Sequence, residues 1–178
     1  MSVWNWLGFE QGPPAGAIPG DALDSIVDVL SHMDETTARY LAAFAYVLGR
    51  VAHADSHISD EETATMKGLV VKHGQLPEEQ AVAVVEMAKQ QAVLFGPTDN
   101  VVVTRQLERN LSREQKLSLL HCLYAVCAAD RHISTEEDNE VRRISTELRL
   151  KHSDFIAIRR HYTEHLGVLK PPQPRGSA

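Results

Sequence analysis

The sequence predicts an all-α protein, and three observations support this class. Apolar residues recur three and four positions apart through most of the segment from residue 21 to residue 168, which is the spacing of an amphipathic helix. No run of alternating apolar and polar residues is long enough to form a useful strand. The pattern Ala-Asp-x-His-Ile-Ser-x-Glu-Glu occurs twice, starting at residues 54 and 129, and a gapless repeat of this length indicates a duplicated helical unit.

Each predicted helix is supported by a start signal or by the spacing of its apolar residues. The first, over residues 21–33, opens with an acidic N-cap residue. The alanine-rich stretch 35–54 places Leu41 and Leu48 on one face and is predicted to be a central core helix. Pro77, followed by two glutamates, favours the first turn of another helix. The other predicted helices start at Ser59, about Val101, Ser112, Ser134 and about Ser153.

The chain is predicted to form one domain between two irregular ends. Its 178 residues are enough to bury a core without disulfides. Residues 1–20 are predicted to be a flexible segment with an aromatic start, and residues 169–178 a disordered, proline-rich tail. The predicted helical domain spans residues 21–168, with repeat halves at about 38–73 and 113–148. A duplicated helix pair predicts an internal pseudo-twofold arrangement.

Charge, cysteines and motifs exclude several classes of protein. The net charge of −6 argues against nucleic acid as a main partner, because phosphates are bound by basic surfaces. Cys122 and Cys127 point to different faces of one predicted helix, so they are poorly placed for a disulfide, which favours a cytoplasmic protein. No apolar stretch approaches the roughly 20 residues that span a bilayer. Phosphate-binding loops and hydrolase motifs are also missing, so we predict that the protein is not an enzyme.

The repeated pattern is predicted to turn a corner between two helices. Ser59 and Ser134 stand where a helix N-cap belongs, and Glu62 and Glu137 follow three residues later. This is the capping-box spacing, in which the hydroxyl and the carboxylate each accept a hydrogen bond from a backbone N–H. A cap of this kind contributes about 1 kcal/mol. A purely structural corner is therefore one of two explanations that the residues leave open.

The second explanation is a duplicated ligand site. It is not an EF-hand, because the first position of the calcium loop would be Val51 or Val126, neither of which supplies a side-chain oxygen. If Ile58 and Ile133 meet across the pseudo-twofold axis, a mixed cluster of carboxylates and imidazoles forms, and its imidazoles favour zinc, nickel or copper over calcium. The residues of that cluster are Asp55, His57, Asp130 and His132.

The N-terminal aromatic residues form a separate candidate for binding. Trp4, Trp6 and Phe9 lie within the first nine residues. Docking onto the protein's own helices, contact with a partner or a second copy, and insertion at a membrane surface are three alternatives for them. No lysine or arginine lies beside them, so attraction to anionic lipid is missing.

The two corners resemble those of the TerB-like family, which includes the tellurite-resistance protein TerB and the N-terminal domain of the membrane co-chaperone DjlA. The family's hallmark is a duplicated Ala-Asp-Gly-x-Ile-Ser-x-x-Glu corner, matched here by ADSHISDEE and ADRHISTEE. The stretch EVRRISTELRLKHSDFIAIRRHY is also similar to the second half of the family. The resemblance covers roughly residues 35–166 and implies a single helical domain of about seven helices.

The resemblance also carries expectations about function. It implies association with tellurite and other stress resistance, binding of divalent cations, and protein partners at the inner membrane. The family glycine is replaced by Ser56 and Arg131, and no His-Pro-Asp tripeptide indicates a J-domain. The family's acidic positions, which are the predicted metal ligands, are Asp55, Glu62, Asp130 and Glu137, and His57 and His132 are predicted as additional ligands.

Together, the residues and the resemblance predict a non-enzymatic interaction module. We expect a cytoplasmic protein, with a location peripheral to the inner membrane as an alternative, that binds a divalent cation at its duplicated acidic corners. The alternative function is a purely structural scaffold that binds protein partners or dimerises without metal. Trp4, Trp6 and Phe9 are the candidate partner-binding residues of either version.

Overall fold

The structure is a computed structural model that describes residues 20–52, 60–90, 104 and 108–167, with the backbone alone at residues 20–25 and 60–62. The described residues include seven α-helices and one short 3-10 helix. The helices are α1 (Gly20–Ser31), α2 (Glu35–Ala52), α3 (Asp60–Gly74), α4 (Glu78–Lys89), α5 (Arg113–Cys127), α6 (Thr135–Glu147) and α7 (His152–Arg160), followed by the 3-10 helix Thr163–His165.

The predicted all-α class is confirmed. Among the described residues, the only pairing of the β type is an isolated parallel bridge between Ile133 and Leu166. The predicted helix boundaries differ by small shifts. Pro77, expected in the first turn of its helix, lies instead at the N-cap of α4, with φ −55° and ψ 152°.

Several predictions fall outside the described residues. The aromatic start and most of the N-terminal segment lie there, as does the C-terminal tail from residue 168. Residues 101–103, at the start of the predicted short helix, also lie there, although Thr104 and residues 108–110 are helical. The domain limits and the character of the two ends therefore stay predictions.

Helix α2 is the centre of the core, as its alanine-rich apolar sequence predicts. It packs against α4, α5 and α6. Leu41, Phe44 and Leu48 of α2 are fully buried, and its small alanines allow neighbouring helices to approach closely. Helix α1 packs on α4, and α1 thereby covers one side of this core.

The two helix pairs of the repeat exchange contacts in a crossed manner. The first pair is α2 and α3, and the second is α5 and α6. Helix α2 packs on α6, while α5 packs on α3, and α2 also meets α5. Crossed contacts of this kind are what a pseudo-twofold arrangement of two similar pairs requires.

Candidate functional site at the second corner

The second corner joins α5 to α6 through residues 128–134, and short hydrogen bonds fix its path. Helix α5 ends at Cys127 with Ala128 as its C-cap. The backbone N–H of Arg131 donates to the carbonyl oxygen of Ala128 at 2.9 Å, which closes the turn. Ile133 then enters the core with no exposed surface, and α6 begins two residues later.

Ser134 and Glu137 form the predicted capping box. The Ser134 hydroxyl oxygen accepts a hydrogen bond from the backbone N–H of Glu137 at 3.1 Å. In return, Oε2 of Glu137 accepts one from the backbone N–H of Ser134 at 2.8 Å. The predicted capping box is therefore confirmed for this copy, because both groups satisfy backbone donors at the start of α6.

Asp130 also supports the loop through its side chain. Its Oδ1 atom accepts a hydrogen bond from the backbone N–H of His132 at 2.8 Å, which is the geometry of an Asx turn. The residue is exposed to solvent. Since a carboxylate has two oxygens with two lone pairs each, this single bond leaves acceptor capacity for a cation.

Arg131 occupies the position of the family glycine and adopts a glycine-like backbone conformation. Its φ angle is 66°, in the left-handed region. An L side chain in this region crowds the following carbonyl group and costs roughly 1–2 kcal/mol. The turn therefore keeps the shape that a glycine would favour, although the sequence supplies a long cationic side chain.

The end of the described chain is attached to this corner. The backbone N–H of Ile133 donates to the carbonyl oxygen of His165 at 2.7 Å, and the N–H of Gly167 donates to the carbonyl oxygen of Ile133 at 2.8 Å. The His132 ring lies against Gly167, since a Cβ atom added to Gly167 would come within 2.7 Å of its Cε1. The segment 163–167 thus braces the corner on the side of Ile133.

The metal ligands predicted from the sequence are not gathered within the described residues. Asp55 and His57 lie outside them, and Glu62 belongs to α3 with its side chain outside them. In the described part of the chain, no group of three or more His, Cys, Asp or Glu side chains is arranged to hold a metal ion. The predicted approach of Ile58 to Ile133 also involves a residue outside the described ranges. The four-carboxylate site, its histidines and the partner-binding aromatics stay predictions.

A buried ion pair that the sequence analysis missed ties the two repeats together. Nε of Arg50 in α2 donates to Oε1 of Glu140 at 2.7 Å. Its Nη1 and Nη2 donate to the two carboxylate oxygens of Glu147 at 2.7 Å and 3.2 Å. The Arg50 side chain is only 5% exposed. Burial opposes the charged form, but the bonds and charges of Glu147 and Glu140 outweigh it and raise the pKa of Arg50.

A second polar group links α5, α6 and α7 around Asp138. Its Oδ1 accepts a hydrogen bond from the Tyr124 hydroxyl at 2.7 Å, and its two oxygens accept from Nε and Nη2 of Arg159, with Nη2 at 2.7 Å. Burial alone would raise the pKa of Asp138, but the bonds from Arg159 and Tyr124 hold it below its ordinary value. These residues therefore fix the helix angles behind the corner.

The last feature is an open cavity of about 420 Å³ between α3, α5 and the residues after α7. It contains three imidazoles, one from each of these regions. Burial lowers the pKa of His121 from its ordinary value, and the neighbouring His161 and His73 lower it further. His121 is therefore a neutral ring at neutral pH. The lining residues are Lys72, His73, Gln75, Ser118, His121, His161 and Tyr162.

The fold and the second corner define a class of all-helical domain that is built from a duplicated helix pair and has a capped, acidic corner in its second half. The model of the family described as "Tellurite resistance protein TerB" matches residues 41–160. This match covers both helix pairs and both corners, and the chain belongs to the TerB family. No curated protein and no solved structure matches the chain. No helix of the described residues is both long and apolar enough to cross a membrane.

Proposed function

We propose that this TerB-family protein is a non-enzymatic interaction module that binds a cationic ligand through the carboxylates of its two corners. The exposed carboxylates of Asp130 and Glu136 at the second corner carry the proposal. Over the described residues, Val71 is the only large hydrophobic side chain that is exposed, so an apolar docking face is missing there. An acidic surface of this kind attracts cations and basic partner surfaces.

The ligand that best fits the repeated carboxylates is a divalent cation. Asp130 and Glu137 lie at one corner, and Asp55 and Glu62 occupy the matching positions of the other. The backbone hydrogen bonds of Asp130 and Glu137 do not prevent this use, because a carboxylate oxygen can accept a backbone N–H and contact a metal ion together. Participation of His57 and His132 would shift the preference towards zinc, nickel or copper.

Thermal melting of the purified protein tests this proposal. The protein is melted in EDTA and then with Ca²⁺, Mg²⁺, Mn²⁺ or Zn²⁺, beside an Asp55→Asn/Asp130→Asn double variant. A ligand of the native state raises the melting temperature by mass action. We expect a rise with at least one ion that the double variant loses.

The matched control is an Asp28→Asn/Glu78→Gln double variant, which removes the same charge from α1 and α4. It should keep the ion-dependent rise. An equal rise in all three proteins would mean general screening of acidic charge and would contradict a corner site. Absence of any rise would remove the cation from the proposal.

A second candidate is a structural scaffold that binds partners or dimerises without metal. It is favoured by the local hydrogen bonds of Asp130 and Glu137, which explain the corner sequence without a ligand. The N-terminal Trp4, Trp6 and Phe9 are its proposed contact residues. Light scattering on the full chain and on a chain lacking residues 1–10 tests it. A dimer that becomes a monomer on deletion supports the scaffold, and equal masses argue against dimerisation through this segment.

Further observations support the non-enzymatic role, the cytoplasmic location and the role in stress resistance. For the non-enzymatic role, burial raises the pKa of the Cys122 thiol to about 12, so this cysteine is a poor nucleophile. Neither cysteine forms a disulfide, and both are buried, as expected of a protein that functions in the cytoplasm. A role in tellurite or other stress resistance is supported by the family description. Growth on tellurite of cells carrying the native gene or the double corner variant tests that role.

A further inference from the structure

The imidazole cavity is distinct from the acidic corners and has different chemistry. His121 comes from the middle of α5, and His161 directly follows α7. Their ring centroids are 5.2 Å apart and their ring planes are inclined by 61°. Among the residues that the structure describes, no carboxylate lines the cavity. Hard cations such as Ca²⁺ and Mg²⁺, which need oxygen ligands, are therefore disfavoured in this cavity.

Protein acceptors hold the Nδ1 atom of each ring. Tyr162 donates its hydroxyl hydrogen to the carbonyl oxygen of His121 at 3.1 Å. The same hydroxyl oxygen lies 3.4 Å from Nδ1 of His121 and faces it as an acceptor. Nδ1 of His161 lies 3.3 Å from the carbonyl oxygen of Ile158, which can only accept. With Nδ1–H as the donor in each ring, the Nε2 lone pair is left for a ligand.

This arrangement is typical of metal-binding histidines, which donate their other ring N–H to a carbonyl, a carboxylate or water and are oriented by that bond. Two imidazoles bound through nitrogen to one tetrahedral zinc ion place their ring centres about 5 Å apart. The 5.2 Å between the ring centroids of His121 and His161 is close to this value.

We propose that His121 and His161 bind a transition-metal ion, Zn²⁺, Ni²⁺ or Cu²⁺, through their Nε2 atoms. Water from the open cavity fills the other coordination positions. Two protein ligands are consistent with the lack of any three-residue metal group in the described part of the chain, and they bind a metal ion more weakly than the four protein ligands of a structural zinc site. Lys72 lines the same cavity, and its positive charge lowers the affinity for a cation. This inference stands apart from the proposed corner site.

Isothermal titration of the full, untagged chain with Cu²⁺, Ni²⁺, Zn²⁺ and Ca²⁺ tests the inference. A His161→Asn variant keeps a group able to replace Nδ1 but removes Nε2, and because His161 is exposed, the variant is expected to fold. We expect it to weaken Cu²⁺ and Ni²⁺ binding by at least about 10-fold. Lys72→Gln should strengthen binding. The matched control, His152→Asn, replaces another exposed histidine and should leave binding unchanged.

Nuclear magnetic resonance supplies an independent readout. Substoichiometric Cu²⁺ should broaden the Cε1–H signals of His121 and His161 before those of the other histidines. In the Asp55→Asn/Asp130→Asn variant, Cu²⁺ should still broaden the His121 and His161 signals first, so failure of the corner site leaves this result untouched. In that background, unchanged Cu²⁺ affinity on adding His161→Asn, or broadening that begins at other histidines, would overturn the assignment.

Discussion

Arg50 in α2 binds both carboxylate oxygens of Glu147 in α6, although the two residues are 97 positions apart in the sequence. The pair joins the first helix of one repeat to the second helix of the other. The positions related to Arg50, Glu140 and Glu147 by the 75-residue repeat are occupied by Ala125, Thr65 and Lys72. The crossed interface between α5 and α3 therefore lacks this set of charges, and the two halves share a helix arrangement while differing in the side chains that hold it.

The first prediction concerns this buried ion pair. Replacing Arg50 by Met leaves the carboxylates of Glu140 and Glu147 in a poorly solvated interface, where they are 16% and 17% exposed. Removing one partner of a buried pair costs about 3–5 kcal/mol. We expect urea denaturation to show a loss of about 3 kcal/mol in the free energy of unfolding.

Two comparisons check the cause of that loss. Arg143 also pairs with Glu140, but its side chain is 63% exposed, and Arg143→Met should cost less than about 1 kcal/mol. A triple variant, Arg50→Met/Glu140→Leu/Glu147→Leu, should recover most of the stability by filling the space with apolar groups. Equal losses for Arg50→Met and Arg143→Met would show that burial of the pair is unimportant.

The second prediction concerns the left-handed residue of the corner. Arg131→Gly relieves the crowding of an L side chain at φ 66°, although glycine loses more backbone entropy on folding. The net effect should be a gain of about 0.5–1 kcal/mol in the free energy of unfolding. Arg131→Ala is the matched control, because it removes the guanidinium but keeps the Cβ. A comparable gain with alanine would show that removal of the positive charge, and not relief of the backbone conformation, causes the stabilisation.

The third prediction separates the structural role of the corner from its proposed ligand role. Ser134→Ala removes the hydroxyl that caps α6 and should lower the free energy of unfolding by about 1 kcal/mol. Glu137→Gln keeps an acceptor for the backbone N–H of Ser134 and should be nearly neutral, since glutamine also completes a capping box. Urea denaturation measures both effects.

The same two variants act differently if the corner binds a divalent cation. Glu137→Gln removes a negative charge from the ligand set, so it should reduce the ion-dependent rise in melting temperature. Ser134→Ala should show the same ion-dependent rise, although its melting temperature without the ion should be lower. A large loss of stability in Glu137→Gln would show that the charge itself, and not the hydrogen bond, holds the corner.

The features that were predictable from the sequence are those encoded by residues close together in the chain. The helix class follows from apolar spacing, and the capping box from Ser134 and Glu137, three positions apart. The Arg50 pair was missed because its partners lie on another helix, and only two signals point to it. One is an arginine within the apolar second half of α2, and the other is a pair of glutamates seven positions apart, on one face of α6.

The hydrogen bonds between Ile133 and residues 163–167 could not be predicted for another reason. They are backbone hydrogen bonds, which any residue except proline can form, so the side chains carry no signal. The imidazole cavity forms because the residues that follow α7 pack beside α5. The contact between His121 and His161 therefore follows from the tertiary packing and not from local sequence.

The fourth prediction is a pH dependence that comes from Asp138. Its pKa is lower in the folded protein than the ordinary value of 3.8, because Arg159 and Tyr124 stabilise the ionised carboxylate. At a pH between the two values the unfolded chain binds more protons, so stability rises with pH there. The contribution of Asp138 is therefore complete above about pH 5 and is lost as pH falls through 3.8 towards the lower folded value.

At pH 7, Asp138→Asn should lower the free energy of unfolding by about 2 kcal/mol, since hydrogen bonds to a charged group are lost. The difference between the native protein and the variant should shrink below pH 4 in urea titrations. Asp28→Asn, at an exposed site on α1, is the control and should show a small difference at every pH. A constant difference for Asp138→Asn from pH 7 to pH 3 would mean that the ionised carboxylate does not stabilise the junction of α5, α6 and α7.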